Sequence, residues 1–162
     1  MKSITESLAQ DLGSRLLNMG LTVTTAESCT GGGVASAITN IPGSSTWFEM
    51  GFVTYSNQAK VKLLGVSPET LEQHGAVSEA VVREMAIGAL QQSGANVAAA
   101  VSGIAGPTGG SEEKPVGTVW LAWACDFKPE VVVLGHHFNG GRSEVRNQAV
   151  MAALRGISEM IK

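Results

Sequence analysis

Between Asn96 and Ser102 the chain reads Asn-Val-Ala-Ala-Ala-Val-Ser, a run of small apolar residues with no alternation of polar and apolar positions. A strand with one face in water alternates, whereas a strand covered on both faces reads as a continuous apolar segment. The run therefore predicts a central strand with helices packed above and below it. Few architectures other than a layered α/β sandwich satisfy that demand.

The remaining segments supply the layers. Leu8, Leu12 and Leu16 recur at helical spacing behind Ser3 and Thr5 and stop before Gly20, which predicts an opening amphipathic helix. Leu21 to Ala26 reads as a strand and runs through Glu27 to Gly33 into a helix over Val34 to Thr39, ended by Pro42. Phe48 to Tyr55 reads as a second strand, and Asn57 to Leu64 as a short helix closed by Gly65. Ser67-Pro68-Glu69 and Ser78-Glu79 are N-terminal signals for two further helices, the second reaching about Ser93. Val116 to Ala124 and Glu130 to Phe138 form a predicted hairpin, and a last helix starts near Gly141. Helices precede and follow strands, so the expectation is a single domain over 1–162, a three-layer α/β/α sandwich with a mixed sheet of about five strands.

Composition narrows the function. Lys plus Arg number 11 against 14 Asp plus Glu, with no basic cluster, so the electrostatic footprint of a nucleic-acid binder is missing. No apolar run approaches the roughly 18 residues of a membrane span, and the first residues carry no signal-peptide pattern. Cys29 and Cys125 stand far apart without a second Cys or His at ligand spacing, so neither a disulfide framework nor a metal site is indicated. A cytoplasmic setting follows as the expectation, without nucleic acid or membrane as a partner. The assembled state is expected to be a homo-oligomer, a dimer in the simplest case.

Glycine is enriched, at roughly 12% against a usual ~7%. It concentrates at Gly31 to Gly33, at Gly103, Gly106, Gly109 and Gly110, and at Gly140 and Gly141. Ser28 stands where a strand ends and the first of these turns opens a helix. Its hydroxyl would sit beside free backbone N–H groups able to stabilise a phosphate or the oxyanion of an acyl transfer. Alternatively, Ser28 or Thr30 is simply the N-cap. The turn fits neither the Walker nor the Rossmann pattern.

A serine nucleophile needs a base. His74 lies at a helix end, and His136 and His137 alternate in a strand, where they read as ordinary sheet residues. Lysine can replace histidine if desolvation keeps it neutral. With about 100° per residue, Lys60 falls on the arc of Val61, Leu63 and Leu64, and Lys62 on the opposite, solvated side. An inward lysine must be paired or perturbed. Tyr55, the only tyrosine, ends the preceding strand; it could relay a proton between lysine and serine or be a plain strand-end aromatic. Arg142 and Arg146, at i and i+4 in the first turns of the last helix, oppose its dipole. They fit either a shared anion such as a phosphate or an exposed face paired with Glu144. Ser111-Glu112-Glu113-Lys114 matches an SxxK string, but Gly109, Gly110 and Pro115 deny it the helix that chemistry needs.

Taken in order, Ala26-Glu27-Ser28-Cys29-Thr30-Gly31-Gly32, Thr54-Tyr55-Ser56-Asn57, Lys60 with Leu63-Leu64-Gly65-Val66, Gly75-Ala76-Val77-Ser78, Ser102-Gly103-Ile104-Ala105-Gly106-Pro107, Gly109-Gly110 and Lys114-Pro115-Val116-Gly117-Thr118-Val119 closely resemble the CinA C-terminal domain family. The likeness covers nearly the whole chain. It implies a nicotinamide mononucleotide deamidase that releases nicotinate mononucleotide and ammonia in pyridine nucleotide salvage, with no metal or organic cofactor. It further implies Ser28 as nucleophile, Lys60 as base and Tyr55 as its partner. The backbone at Thr30, Gly31 and Gly32 would hold the oxyanion. The loop from Ser102 and Gly103 to Gly109 and Gly110 would line the nucleotide site, and Arg142, with Arg146 as a second contact, would hold the phosphate. Two rivals stay open: a non-catalytic nucleotide-binding module, which glycine loops and arginines would serve equally, and a thiol mechanism through Cys29.

Overall fold

The uninterrupted apolar run is β3 (Val97–Gly103), the middle strand of a five-stranded sheet, in a computed structural model that describes residues 1–162. The other strands are β1 (Val23–Glu27), β2 (Phe52–Val53), β4 (Thr118–Cys125) and β5 (Val132–His137), and the order across the sheet is β2-β1-β3-β4-β5. β1 runs parallel to β2 and β3, while β4 is antiparallel to both β3 and β5, so the sheet is mixed as expected.

Both faces of β3 are covered, and its side chains sort strictly by parity. Val97, Ala99 and Val101 join a core with α1 (Ile4–Met19), α2 (Gly33–Thr39) and α6 (Arg142–Met160), through Leu12, Leu16, Ile38, Leu154 and Ile157. Ala98 and Ala100, with Ala122 and Ala124 of β4, meet Val82, Met85, Ala86 and Ala89 of α5 (Glu79–Ser93). Outside α5 lie α3 (Asn57–Leu64) and α4 (Pro68–His74). Four alanines under α5 make that layer thin, and the thinness brings α5 and α3 near the sheet.

Local signals start and stop the helices where expected. Ser3 and Glu6 form a reciprocal capping box on α1, Ser56 caps α3 through Ala59 N, and Ser78 caps α5 through Val81 N. The expected strand over Phe48 to Tyr55 is mostly irregular. Only Phe52 and Val53 pair with Ala26 and Glu27, and Phe48 makes one isolated bridge to Val23. Between those points the Thr24 hydroxyl donates to Met50 O, a side-chain bond in place of a ladder bond. At an edge the partner offers hydrogen bonds on one side only, so β propensity alone does not hold a long strand there.

Because β1, β2 and β3 are parallel, their carboxyl ends lie together, the position where open α/β sheets place their ligands. The turn after β1, the segment from β2 into α3, and the loop after β3 all leave from that edge. No helix is long and apolar enough to cross a membrane.

The close approach of α3 to α5 can be tested at Gly88. A Cβ there would overlap the Leu64 carbonyl, which is backbone and cannot swing aside. Gly88→Ala should cost about 1–3 kcal/mol, read as a lower denaturation midpoint. An unchanged midpoint would mean that α3 is not seated against α5 in this way.

Candidate active site

Ser28 follows the last residue of β1 and extends its pairing by one bond, donating its N–H to Val101 O at 2.9 Å. The chain then turns sharply through Gly31 and Gly32, whose φ values of 57° and 100° are strained for any residue with a Cβ. Lys60 approaches from the first half of α3 and is 1% exposed, while Lys62 is exposed on the other side, as the helical spacing predicts. The Lys60 Nζ lies 3.1 Å from Ser28 Oγ, 3.0 Å from Thr54 O and 3.2 Å from Tyr55 O. The ion pairs of the chain, Arg83–Glu79 and Lys162–Glu159, are both elsewhere, so no carboxylate balances this amine. Burial pushes its pKa below the ordinary lysine value, opposed only by the neighbouring Cys29.

Cys29 is buried beside Ser28, and burial raises its thiol to about 11. Thiolate is the nucleophilic form of cysteine, and burial works against it here.

The turn itself is held by a residue that the spacing did not single out. Glu27 is fully buried, and its carboxyl accepts from Thr30 Oγ1 at 2.7 Å, Val34 N at 2.8 Å and Ala35 N at 2.9 Å. It therefore takes the first-turn N–H groups of α2, which corrects the expectation that these face a substrate anion. Nor is Ser28 or Thr30 the N-cap: Gly32 occupies that position and makes no side-chain bond. A carboxyl six residues before a helix matches no local capping rule, so only the folded turn reveals its role.

The remaining expected residues divide. Tyr55 is 63% exposed; its carbonyl faces Lys60 and Ser28, while its hydroxyl accepts from Arg142 at 3.4 Å. The relay expected of that hydroxyl has no geometric support, because it bonds to neither reacting group. Arg142 also donates to Gly106 O at 2.8 Å, so it spans the segment after β2 and the loop after β3. Arg146 donates to Cys29 O at 3.0 Å and Thr30 O at 3.1 Å. Neither arginine pairs with Glu144. The Ser102 hydroxyl is committed to Ala76 O at 2.8 Å, and Gly103 lies tight against Thr118 and Val119. These two support the loop from behind, whereas Gly109 and Gly110 are exposed. His136 stacks on Phe138, His137 bonds Val116 O, and His74 is exposed, so no histidine serves Ser28. A groove of about 380 Å³ between β5 and α6, lined in part by Trp123, His136 and Phe138, contains none of the residues grouped around Ser28.

The chain is similar to several known proteins. Nicotinamide-nucleotide amidohydrolase PncC of Escherichia coli strain K12 is 60% identical over 148 residues, 91% of this chain and 89% of that protein. The Pseudomonas putida protein of the same name is 54% identical over 154 residues, 95% of each. The crystal structure of competence/damage inducible protein CihA from Agrobacterium tumefaciens superposes with a TM-score of 0.97 at 45% identity, covering 100% of this chain and 98% of that one. With residues 5–161 matching the CinA C-terminal domain, the chain belongs to the CinA C-terminal domain family.

Proposed function

We propose that this chain is an amidohydrolase that converts nicotinamide mononucleotide to nicotinate mononucleotide and ammonia in pyridine nucleotide salvage, with Ser28 as nucleophile and Lys60 as general base. The observation that carries the reading is the buried Lys60 amine, 3.1 Å from Ser28 Oγ and without a carboxylate partner. The names of the relatives, at 54–60% identity, support the substrate class.

A count of protons explains why desolvation matters. Carbonyls only accept, so the Thr54 and Tyr55 carbonyls engage two N–H bonds of the lysine. The third direction faces Ser28. In the ammonium form it is a donor, the serine oxygen must accept, and the hydroxyl proton is left to a long 3.4 Å contact with Tyr55 O. In the neutral form it is a lone pair, the hydroxyl donates to it, and Ser28 becomes a nucleophile. A non-catalytic binding module has no use for such an amine.

The chemistry then balances. Lys60 takes the Ser28 proton as Oγ attacks the carboxamide carbon, which the pyridinium ring makes electrophilic. The resulting oxyanion is met by backbone N–H groups of the turn after Ser28. Lys60 returns the proton to the leaving nitrogen, ammonia departs, and a nicotinyl ester remains on Ser28. Lys60 next deprotonates a water that attacks the ester, and Ser28 recovers its proton as nicotinate mononucleotide leaves. Tyr55 serves through its carbonyl. Arg142, exposed between two loops at the rim, is assigned to the 5′-phosphate, which aligns the amide from a distance.

Ammonia release from nicotinamide mononucleotide by the purified chain is the direct test. Ser28→Ala should abolish it with the fold intact, and Cys29→Ala should keep most of it; the reverse pattern would make the thiol the nucleophile.

Lys60→Met should lower kcat by roughly 10²–10⁴-fold, while Lys62→Met should be nearly silent. Activity needs the neutral amine, so kcat should fall as pH drops through the lowered Lys60 pKa. The stability contribution has the same sign: it is present above the ordinary lysine value and lost as pH falls, because the unfolded chain binds the proton more readily. Lys60→Met should therefore be at least as stable as the wild type near pH 7. An acid limb that survives in the Lys60→Met residual activity would refute the assignment.

Arg142→Ala should reduce kcat/KM for nicotinamide mononucleotide about thirtyfold more than for nicotinamide riboside, the value of one charge-assisted phosphate contact of about 2 kcal/mol. Equal losses on both substrates would move the phosphate site elsewhere.

A further inference from the structure

The turn after the nucleophile contains backbone donors with nothing to bind. Gly31 N–H goes to Ser28 O at 3.0 Å and Gly33 N–H to Thr30 O at 2.9 Å, but the N–H groups of Cys29 and Thr30 find no acceptor in the chain. Both residues are buried, at 6% and 1% exposure. Buried N–H groups without a partner are rare in folded proteins and call for an explanation. These two are adjacent to each other and to Ser28 in sequence, and remain available to an anion.

Something must hold these peptides in that orientation. A trans peptide keeps its C=O and the following N–H antiparallel, so fixing one fixes the other. The Arg146 guanidinium donates to Cys29 O and Thr30 O, and its Nη2 also lies against Gly31, 3.3 Å from where a Cβ would stand. Holding Cys29 O turns the Thr30 N–H away from Arg146, and a cation on the carbonyl end of a peptide polarises its N–H end. From the other side Glu27 ties down the Thr30 hydroxyl and the start of α2. The turn is gripped from both flanks and leaves the Cys29 and Thr30 N–H groups free, along with that of Gly32.

We propose that Arg146 is a positioning residue for the oxyanion: by holding the Cys29 and Thr30 carbonyls it orients and polarises the Thr30 N–H toward the tetrahedral intermediate formed on Ser28. This replaces the phosphate contact expected of Arg146, which is tied instead to two carbonyls of the turn. It rests on the amide-hydrolysis reading. Arg146 touches neither substrate nor reacting atoms, so its effect belongs in kcat, where a donor to the transition state acts, and not in binding.

The test uses the full chain with Arg146→Met and Arg146→Lys, assayed on nicotinamide mononucleotide and nicotinamide riboside, and followed by ¹H–¹⁵N amide spectra. Arg146→Met should lower kcat roughly tenfold to a hundredfold on both substrates by the same factor, below the 10²–10³ seen when an oxyanion donor is removed outright. KM for the mononucleotide should stay within about threefold of wild type, since binding and transition-state effects separate in this way. Added guanidinium ion should restore part of the lost rate. The Thr30 amide proton should move upfield in Arg146→Met and stay in place in Arg142→Ala. Arg146→Lys keeps the charge but has a single nitrogen, so it should fall between, and it carries the test if the Met variant does not fold. A raised mononucleotide KM with the riboside unaffected would make Arg146 a phosphate contact, and an unchanged kcat in both variants would make it only an anchor for α6; either result overturns the proposal. A wild type that releases no ammonia would overturn the underlying reading, whereas failure of the Arg146 variants alone, with an active wild type, leaves that reading intact.

Discussion

An amine removed from water and given only carbonyls and a hydroxyl is the constraint around which this molecule is arranged. Lys60 is 1% exposed, donates to Thr54 O and Tyr55 O, and has no compensating carboxylate. A buried ammonium without a partner is costly, and the group answers by titrating lower. Its environment depends on distant parts of the fold. Thr54 and Tyr55 are in place because β2 follows the carboxyl end of β1, where Thr54 N–H bonds Glu27 O at 2.8 Å. α3 is near the sheet because α5 lies flat on a floor of alanine. A bulkier β3 or β4 would lift α5, and α3 with it, and separate the lysine from the serine.

The other buried charge-bearing residue works in the opposite way. Glu27 meets three donors, one in the turn that follows it and two in the first turn of α2. Lys60 meets only neutral acceptors, with no countercharge, and so stays chemically available, while Glu27 is saturated by its donors and acts as scaffold. Two fully buried ionisable side chains, both close to Ser28, thus take up different work because their hydrogen-bond partners differ.

The same division separates Arg142 and Arg146 of α6. They are one helical turn apart and indistinguishable by sequence pattern, yet Arg142 is exposed and reaches Gly106 O and the Tyr55 hydroxyl, while Arg146 is partly buried against the nucleophile turn. One extends beyond the rim of the site and the other reaches back into its frame.

Much of this was legible in the residues. The unalternating β3, the helix caps at Ser3, Ser56 and Ser78, the inward side of α3 and the outward side of Lys62 all follow from periods and capping rules that act within a few residues. The nearness of Ser28 to Lys60 did not follow from them, since it joins segments 32 residues apart, and it was reached through resemblance. The breakup of the strand over Phe48 to Tyr55, the capping role of Glu27, the turning of the Tyr55 hydroxyl to Arg142 and the attachment of Arg146 to the turn were all decided by the tertiary structure. Each depends on which backbone carbonyl or N–H group another segment leaves unpaired once the sheet has assembled. Local pattern determines which face of an element is buried; the partner that a buried polar atom finds there is a property of the packed whole.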